Sequence, residues 1–282
     1  IEGNTGKGSS LRISFKDTRN KWIVPNTGFD AQTVSVNGVS KRLKVVDLGV
    51  SATYYGKHSD NLPMSGYNDN GIMKSLMWLN SCATPEDVWN EYQNDLVTKY
   101  RRGDDDAQKV INSSNDNPYA IAYQHLNTLK RHRVYGNVYA NFHILNDRKN
   151  QLDLLVRGAM NLQTDFRTQR RPYYSRTSMR GMYKEQTTKM FESNIDFLLS
   201  YNRQLGNDFQ LKASFGGNMM NHENTNLKLY AAQLLEPDVY SVQNVNGTLS
   251  VNDTRYNKKK YSLYGFVAAS YKDMVFLEVT GR

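Results

Sequence analysis

The sequence predicts an all-β fold, a transmembrane antiparallel β-barrel wall of about nine strands with one short helix in a long outer loop. Three observations predict it. Long stretches alternate apolar and polar residues with a period of two, so each strand has one greasy and one wet face. Short polar turns alternate along the chain with long irregular segments, as in outer-membrane barrels, whose turns are periplasmic and whose loops are external. A mean hydropathy of -0.69, with no apolar run near the roughly 18 residues a membrane helix needs, excludes a helical membrane protein and still fits a barrel with polar loops and lumen. A soluble antiparallel β protein shares the alternation but has no reason to keep its long connections at one end.

The first two segments, 11–16 and 31–39, alternate weakly and flank a connection at 17–30. After a polar turn at 40–44 the pattern sharpens, with Val46, Leu48, Val50, Ala52 and Tyr54 interleaved with Asp47, Gly49, Ser51 and Thr53. A long segment, 56–131, precedes Val134, Gly136, Val138, Ala140, Phe142 and Ile144, which alternate with Tyr135, Asn137, Tyr139, Asn141 and His143. The turn at 146–150 leads to Leu152, Leu154, Val156, Gly158, Met160 and Leu162, and a second long connection is expected at 164–187. The strongest pair follows: Phe191, Ile195, Phe197, Leu199 and Tyr201, interrupted by Ser193, oppose Glu192, Asn194, Asp196 and Ser200, broken once by Leu198. Beyond an expected seven-residue turn, Phe209, Leu211, Ala213, Phe215, Gly217 and Met219 oppose Gln210, Lys212, Ser214 and Asn218. Each apolar stripe runs over about 10 residues, enough to cross a bilayer at a tilt. A last long connection, 221–259, is followed by 260–271, a turn at 272–273, and Val275, Leu277 and Val279 against Glu278 and Thr280. Tyr54, Tyr55, Tyr201, Tyr261 and Tyr271 lie at strand ends, where interfacial aromatics are expected.

The 56–131 segment contains one readable helix, 84–103. Thr84 is a good N-cap, Pro85 fits the first helical position, Asp87 completes a capping-box-like spacing and Gly103 ends the run. Val88, Trp89, Tyr92, Leu96, Val97 and Tyr100 then share one face. These aromatics either hold the loop together or stack against a ligand. Trp78, Trp89, Tyr92, Tyr173 and Tyr174 are the candidate substrate or lid contacts, and 56–131 is the loop expected to meet a lid or the substrate.

Signals for other chemistry are weak. The five histidines, His58, His125, His132, His143 and His222, show no HExxH or paired spacing, and no GxSxG, P-loop or GxGxxG occurs, so no catalytic residue, cofactor or metal is expected. Asp104, Asp105 and Asp106 lack the spaced ligands of a calcium loop and read as a solvated turn. The single Cys82 cannot form a disulfide within the chain. The net charge of +9 suits nucleic acid poorly, because its densest groups (Lys130, Arg131, Arg133; Arg167, Arg170, Arg171; Lys258, Lys259, Lys260) fall where strands meet long loops. There they are solvated or pair with the phosphates of anionic outer-membrane lipid. The chain begins without Met and ends within an alternating segment at Arg282, so it is expected to be part of something longer. A membrane sheet with two open edges would leave backbone groups unpaired in hydrocarbon.

Four stretches, NPYAIAYQHLNTLKRHRVYGNVYANFHI (117–144), FESNIDFLLSYNRQLGNDFQLKASFGGN (191–218), IVPNTGFD (23–30) and YKDMVFLEVTGR (271–282), resemble the SusC/RagA family of TonB-dependent outer-membrane transporters of Bacteroidetes. The resemblance runs over nearly the whole chain and is weakest across 56–116. It implies that residues 1–282 are part of a receptor barrel domain of about 22 strands, with the plug and N-terminal domains outside this chain. It further implies a SusD-like surface lipoprotein as lid, energy from the TonB complex, and import of oligosaccharides or, alternatively, oligopeptides by a non-enzymatic protein of the bacterial outer membrane. A passive porin-type barrel is the competing reading, and a plug preceding residue 1 separates the two.

Overall fold

Among the described residues ten strands form one open antiparallel sheet in strict chain order, every strand hydrogen-bonded to its sequence neighbours. They are β1 (Glu2–Asn4), β2 (Ser9–Lys21), β3 (Gly28–Ser40), β4 (Val46–Asn61), β5 (Asn127–Asn146), β6 (Asn150–Ser175), β7 (Ser178–Leu205), β8 (Phe209–Ala231), β9 (Ser250–Tyr271) and β10 (Val275–Gly281). The computed structural model describes residues 2–4, 8–41, 45–63, 71–79, 83–98, 116–175, 178–206, 208–272 and 274–282. The nine expected strands are all present. The tenth, β1, is a three-residue segment paired with Ser10, Leu11 and Arg12, too short to show a period.

Register keeps the parity of the alternation from strand to strand except at bulges between Gly28 and Asp30 and between His143 and Leu145. Leu48, Ala140, Val156, Phe197, Gly217 and Leu263 are successive partners in one row across six strands. Thr53, Tyr135, Asn161, Glu192, His222 and Lys258 form a polar row on the other side. Exposure is inverted relative to a soluble protein: Val138, Ile195 and Phe215 are more than half exposed, whereas Thr53, Asp196 and Ser214 are under a tenth exposed. The polar face is knitted together instead. Ser51 donates to Asn37, Thr53 to Ser35, Arg157 to Asp196, and Ser214 to Ser200. An apolar outside over a hydrogen-bonded inside is what a bilayer selects, because lipid replaces the hydrophobic core and each buried polar group still needs a partner. From Leu152 to Leu162 the belt covers about 33 Å of strand, or about 25 Å of height at a tilt near 40°, roughly one hydrocarbon layer.

Two close approaches hold the polar face tight. A side chain at Gly49 would collide with the ring of its register partner Tyr139, and one at Gly216 with the ring of its partner Tyr264. In both pairs the aromatic ring lies over the space the glycine leaves empty.

The connections sort onto two ends as expected, with corrections. The short-turn end holds 41–45, 147–149, 206–208 and 272–274. The expected seven-residue turn at 202–208 is three residues, because Asn202 and Gln204 remain paired with Lys212 and Gln210 in the ladder. The expected irregular segment at 164–187 is mostly strand: β6 and β7 run 26 and 28 residues and still pair at Ser175 and Ser178. The 17–30 and 221–259 connections likewise shrink to 22–27 and 232–249. Above the belt both faces meet water, so the strands continue without a greasy side, and alternation cannot mark them.

Among its described residues the longest connection carries three helices rather than one: α1 (Ile72–Met77), α2 (Pro85–Thr98) and α3 (Pro118–Tyr123). The expected capping box at α2 is present: Thr84 Oγ1 accepts from the Asp87 backbone N at 3.1 Å, and Asp87 Oδ2 accepts from the Thr84 N at 2.9 Å. Tyr100, Gly103, Cys82, Asp104, Asp105 and Asp106 lie outside the described residues, as do the side chains of Leu96 and Val97. The two six-residue helices are too short for a helical period to show. No helix among the described residues is long and apolar enough to cross a membrane, which says nothing about strands.

Candidate functional site

Three groups of side chains stand above the belt at the long-loop end. The first is the helical module. Val88 and Tyr92 are buried on α2, and Trp89 stands 5.6 Å from Tyr92 and 4.9 Å from Tyr119 of α3 between ring centroids. Tyr123 also stacks with Tyr92, at 6.3 Å between centroids. Asn117 caps α3 by accepting from the Tyr119 N at 2.9 Å, with Pro118 in the first position, and its amide donates to the Val88 carbonyl, joining α3 to α2. Asn26 and Asn61 both donate to the Ala122 carbonyl, tying the module to the wall. Between α1, α2 and α3 lies an apolar groove of about 240 Å³, lined by Ile72, Leu76, Val88, Tyr119 and Ala122 with Pro25.

Beneath the module is a buried polar hub. Ser75 donates to the Asp116 carbonyl at 2.5 Å and Ser175 to the Asp116 carboxylate at 3.0 Å, so one residue ties α1 to the end of β6. His125 lies 4.0 Å from that carboxylate, and neither ring nitrogen has a hydrogen-bond partner among the described residues. Burial, opposed by Asp116 and aided by Arg171, pulls the imidazole from its ordinary 6.5 down to about 4.

The second group is an apolar clasp at the tops of β6, β7 and β8. Tyr173, Tyr183, Ala231 and Leu234 are buried together, and the Tyr173 hydroxyl donates to the carbonyls of Leu234 and Leu235 at 2.6 and 3.0 Å. Burial, helped by a hydrogen bond to Glu185, raises the Tyr183 hydroxyl to about 12. Tyr174 packs beside this clasp with a φ of 64°, a left-handed conformation uncommon for a non-glycine residue.

The third group, on the polar face, was missed by sequence reasoning. Arg131 and Arg167 hold Asp165, and Lys57 lies beside the two guanidinium groups. Arg131 donates to both Asp165 oxygens at 2.7 and 2.5 Å, Arg167 donates at 3.1 Å and Gln163 at 3.2 Å. Burial pushes the Asp165 carboxyl up, but the hydrogen bonds and charges of the two arginines together hold it below its ordinary value. Lys57 sits 3.9 Å above the Phe29 ring, which in turn lies 5.3 Å from Trp22. Burial and the neighbouring guanidinium groups of Arg131 and Arg167 lower the Lys57 pKa.

The expected contact residues thus fall in separate places. Trp89 and Tyr92 are brought together, as are Tyr173 and Tyr174 at 6.0 Å. Trp78 caps α1 at 54% exposure, Trp89 is 39% exposed, and Tyr92 and Tyr173 are buried. Tyr119 and Tyr123 belong with them, and the Asn-Pro cap at 117–118 was the sequence signal for their helix. Of the basic groups expected to be solvated or to pair with lipid phosphate, register turns Lys130 outward but Arg131, Arg133 and Arg167 inward. Counting parity up from Asn137 would have found this. Among the described residues no group of three or more metal-ligating side chains could hold an ion.

No family model matches the chain, and no curated protein matches it significantly. Solved structures do. The RagAB peptide importer in its open-open state aligns with 97% of this chain at TM-score 0.71 and 12% identity, and in its closed-closed state with 97% at 0.68 and 11%. A further structure of the RagAB peptide transporter aligns with 99% of the chain at 0.70 and 11%. The chain spans only 29–30% of the length of each of these. At such low identity the likeness establishes the fold, an open stretch of barrel wall.

Proposed function

We propose that this chain forms part of the barrel of a TonB-dependent importer in a bacterial outer membrane, of the SusC/RagA kind, working with a surface lipoprotein of the SusD type. The observation that carries the reading is the inside-out wall itself. Its apolar belt is one hydrocarbon layer tall, tall polar extensions and a helical module rise at one end only, and nearly its whole length superposes on a peptide importer. Oligopeptide is the favoured cargo. The solved neighbours are named for peptide import, and the inward face offers Asn, Gln, Arg and Asp side chains suited to peptide backbone and termini. Oligosaccharide remains the second reading, supported by Trp78 and Trp89, exposed rings against which sugars could stack. In either case Trp78 and Trp89 are the proposed contact residues, with Tyr92 and Tyr173 holding the surfaces that present them. The module formed by α1, α2 and α3 is the proposed surface for the lid or the substrate.

The test is uptake of labelled oligopeptides and oligosaccharides by cells that express or lack the protein, each with and without a functional TonB system. Uptake of peptide that needs both the protein and TonB supports active peptide import. Uptake that needs the protein but not TonB makes it a passive pore, and uptake of sugar alone reverses the cargo.

A further inference from the structure

The cation cluster on the inner face carries an inference about the cargo. Asp165 is saturated, because its two oxygens already accept four hydrogen bonds, from Arg131 twice, Arg167 and Gln163. It is 6% exposed, whereas the Arg167 side chain is 47% exposed and Arg131 27%. This carboxylate is therefore used up by Arg131 and Arg167, and Arg167 has guanidinium hydrogens to spare on the open side. Among the described residues no acid forms an ion pair with Lys57, whose ammonium is held over Phe29. A nearby acid of the same face, Glu192, is already engaged by His222 at 3.2 Å. Parity fixes which way the cluster points. Lys57 pairs with Arg131 and Arg131 with Asp165, in the same odd-numbered series as Thr53, Tyr135 and Asn161, opposite to the apolar belt. The cluster also stands above the belt, past Tyr54, Val134 and Leu162, where water and an arriving solute reach it.

We propose that Lys57, Arg131 and Arg167 form a receiving site for a carboxylate of the imported oligopeptide, with Phe29 and Trp22 as the apolar wall beside it. The site rests on the peptide-import reading above and sharpens it: the cargo carries a free C-terminal or side-chain carboxylate. A carboxylate accepts from Arg167 in a fork and from Lys57 as a point charge, relieving the mutual repulsion of the three cations. Arg131 positions Arg167 through their shared Asp165.

The test uses the intact, assembled transporter and two probes: the fluorescent tetrapeptide Ala-Ala-Leu-Ala with a free C-terminus, and the same peptide amidated. Binding is followed by fluorescence anisotropy at low and high salt. The free acid is expected to bind about tenfold tighter than the amide, the scale of one or two charge-assisted hydrogen bonds at a partly exposed site, and the gap should narrow with salt. In Lys57→Gln/Arg167→Gln the gap should close. In Lys130→Gln/Lys189→Gln, which removes the same charge from the outward face, the gap should persist. Heat-modifiable migration of both double variants confirms assembly. Equal binding of acid and amide by the parent overturns the site, leaving the three cations to be neutralised by another part of the protein. Loss of the gap in the outward variant also overturns it, reducing the effect to net charge. Binding of neither peptide by the parent, together with absent peptide uptake, rejects the import reading itself, a result distinct from the other two.

Discussion

The lower and upper halves of this wall are built from the same strands by opposite rules. In the lower half, between the rows of Leu152 with Tyr201 and Leu162 with Phe191, every second residue meets lipid, so composition is constrained on both faces at once. In the upper half β6 and β7 continue to Ser175 and from Ser178 with water on both sides, and order comes from discrete fastenings. These are the Tyr173 clasp on Leu234 and Leu235, the Asp116 hub between Ser75 and Ser175, and the Asp165 cluster. The lower half is thus stabilised by its solvent and the upper half by its contacts. Substitutions should fail differently in each: by polarity and depth below, by loss of one named partner above.

The largest expected effect breaks the lower half. Phe197→Arg, near mid-belt on the outward face, should cost about 2–4 kcal/mol and impair assembly, seen as lost heat-modifiable migration. Asp196→Asn, one residue away on the inward face, removes the charge opposite Arg157 while keeping an amide oxygen that can accept from it, and should cost about 1 kcal/mol or less, since Arg157 is half exposed. Equal assembly of the two would show that the faces are not chemically distinct.

The upper half should be broken by acid. His125 titrates near 4 when folded and near 6.5 when unfolded, so between these values the unfolded hub binds a proton that the folded one does not. Its contribution is fully present above about pH 6.5 and is lost as pH falls toward 4, by about 2 kcal/mol between pH 7 and 5. Amide exchange of residues 116–127, corrected for intrinsic rates, should accelerate over that range while the belt strands stay protected. His125→Gln should flatten the pH dependence, and an unchanged slope in that variant would assign the effect to another group.

A smaller effect sharpens the same contrast. Tyr173→Phe deletes one hydroxyl and leaves the carbonyls of Leu234 and Leu235 without that donor, costing about 0.5–1.5 kcal/mol. Exchange should rise locally in 232–249 and nowhere below Leu162. Spread of the change into the belt would mean that the two halves are energetically one unit.

What could be read from the sequence follows the same division. Strands such as 46–54 and 191–201 were legible because lipid on one side forces a period of two. Residues 164–187 were not, because with water on both faces Thr164, Thr168, Gln169 and Lys184 obey no period and resemble a loop. The α2 cap was legible, since Thr84, Pro85 and Asp87 act on their immediate neighbours, whereas α1 has at Gly71 no side chain to signal its start. The aromatic candidates were legible as residue types, but which would be exposed, as Trp78 and Trp89 are, and which buried, as Tyr92 and Tyr173 are, depends on partners many residues away. The Lys57, Arg131 and Arg167 cluster joins three strands separated by up to 110 positions, and only register brings it together.

The central claim is that one face of these strands meets lipid over a belt of fixed height and that the distinction ends above it. Nitroxide labels placed singly along residues 183–201, in a Cys82→Ser background in reconstituted bilayers, test it directly through their collisions with dissolved oxygen, which concentrates in the hydrocarbon. Collision rates should oscillate with a period of two from Phe191 to Tyr201, with maxima at Ile195, Phe197 and Leu199 and minima at Asn194, Asp196 and Ser200, and the oscillation should vanish between Tyr183 and Lys189. Maxima at Asn194 and Asp196, or an oscillation continuing undiminished to Tyr183, would contradict the account.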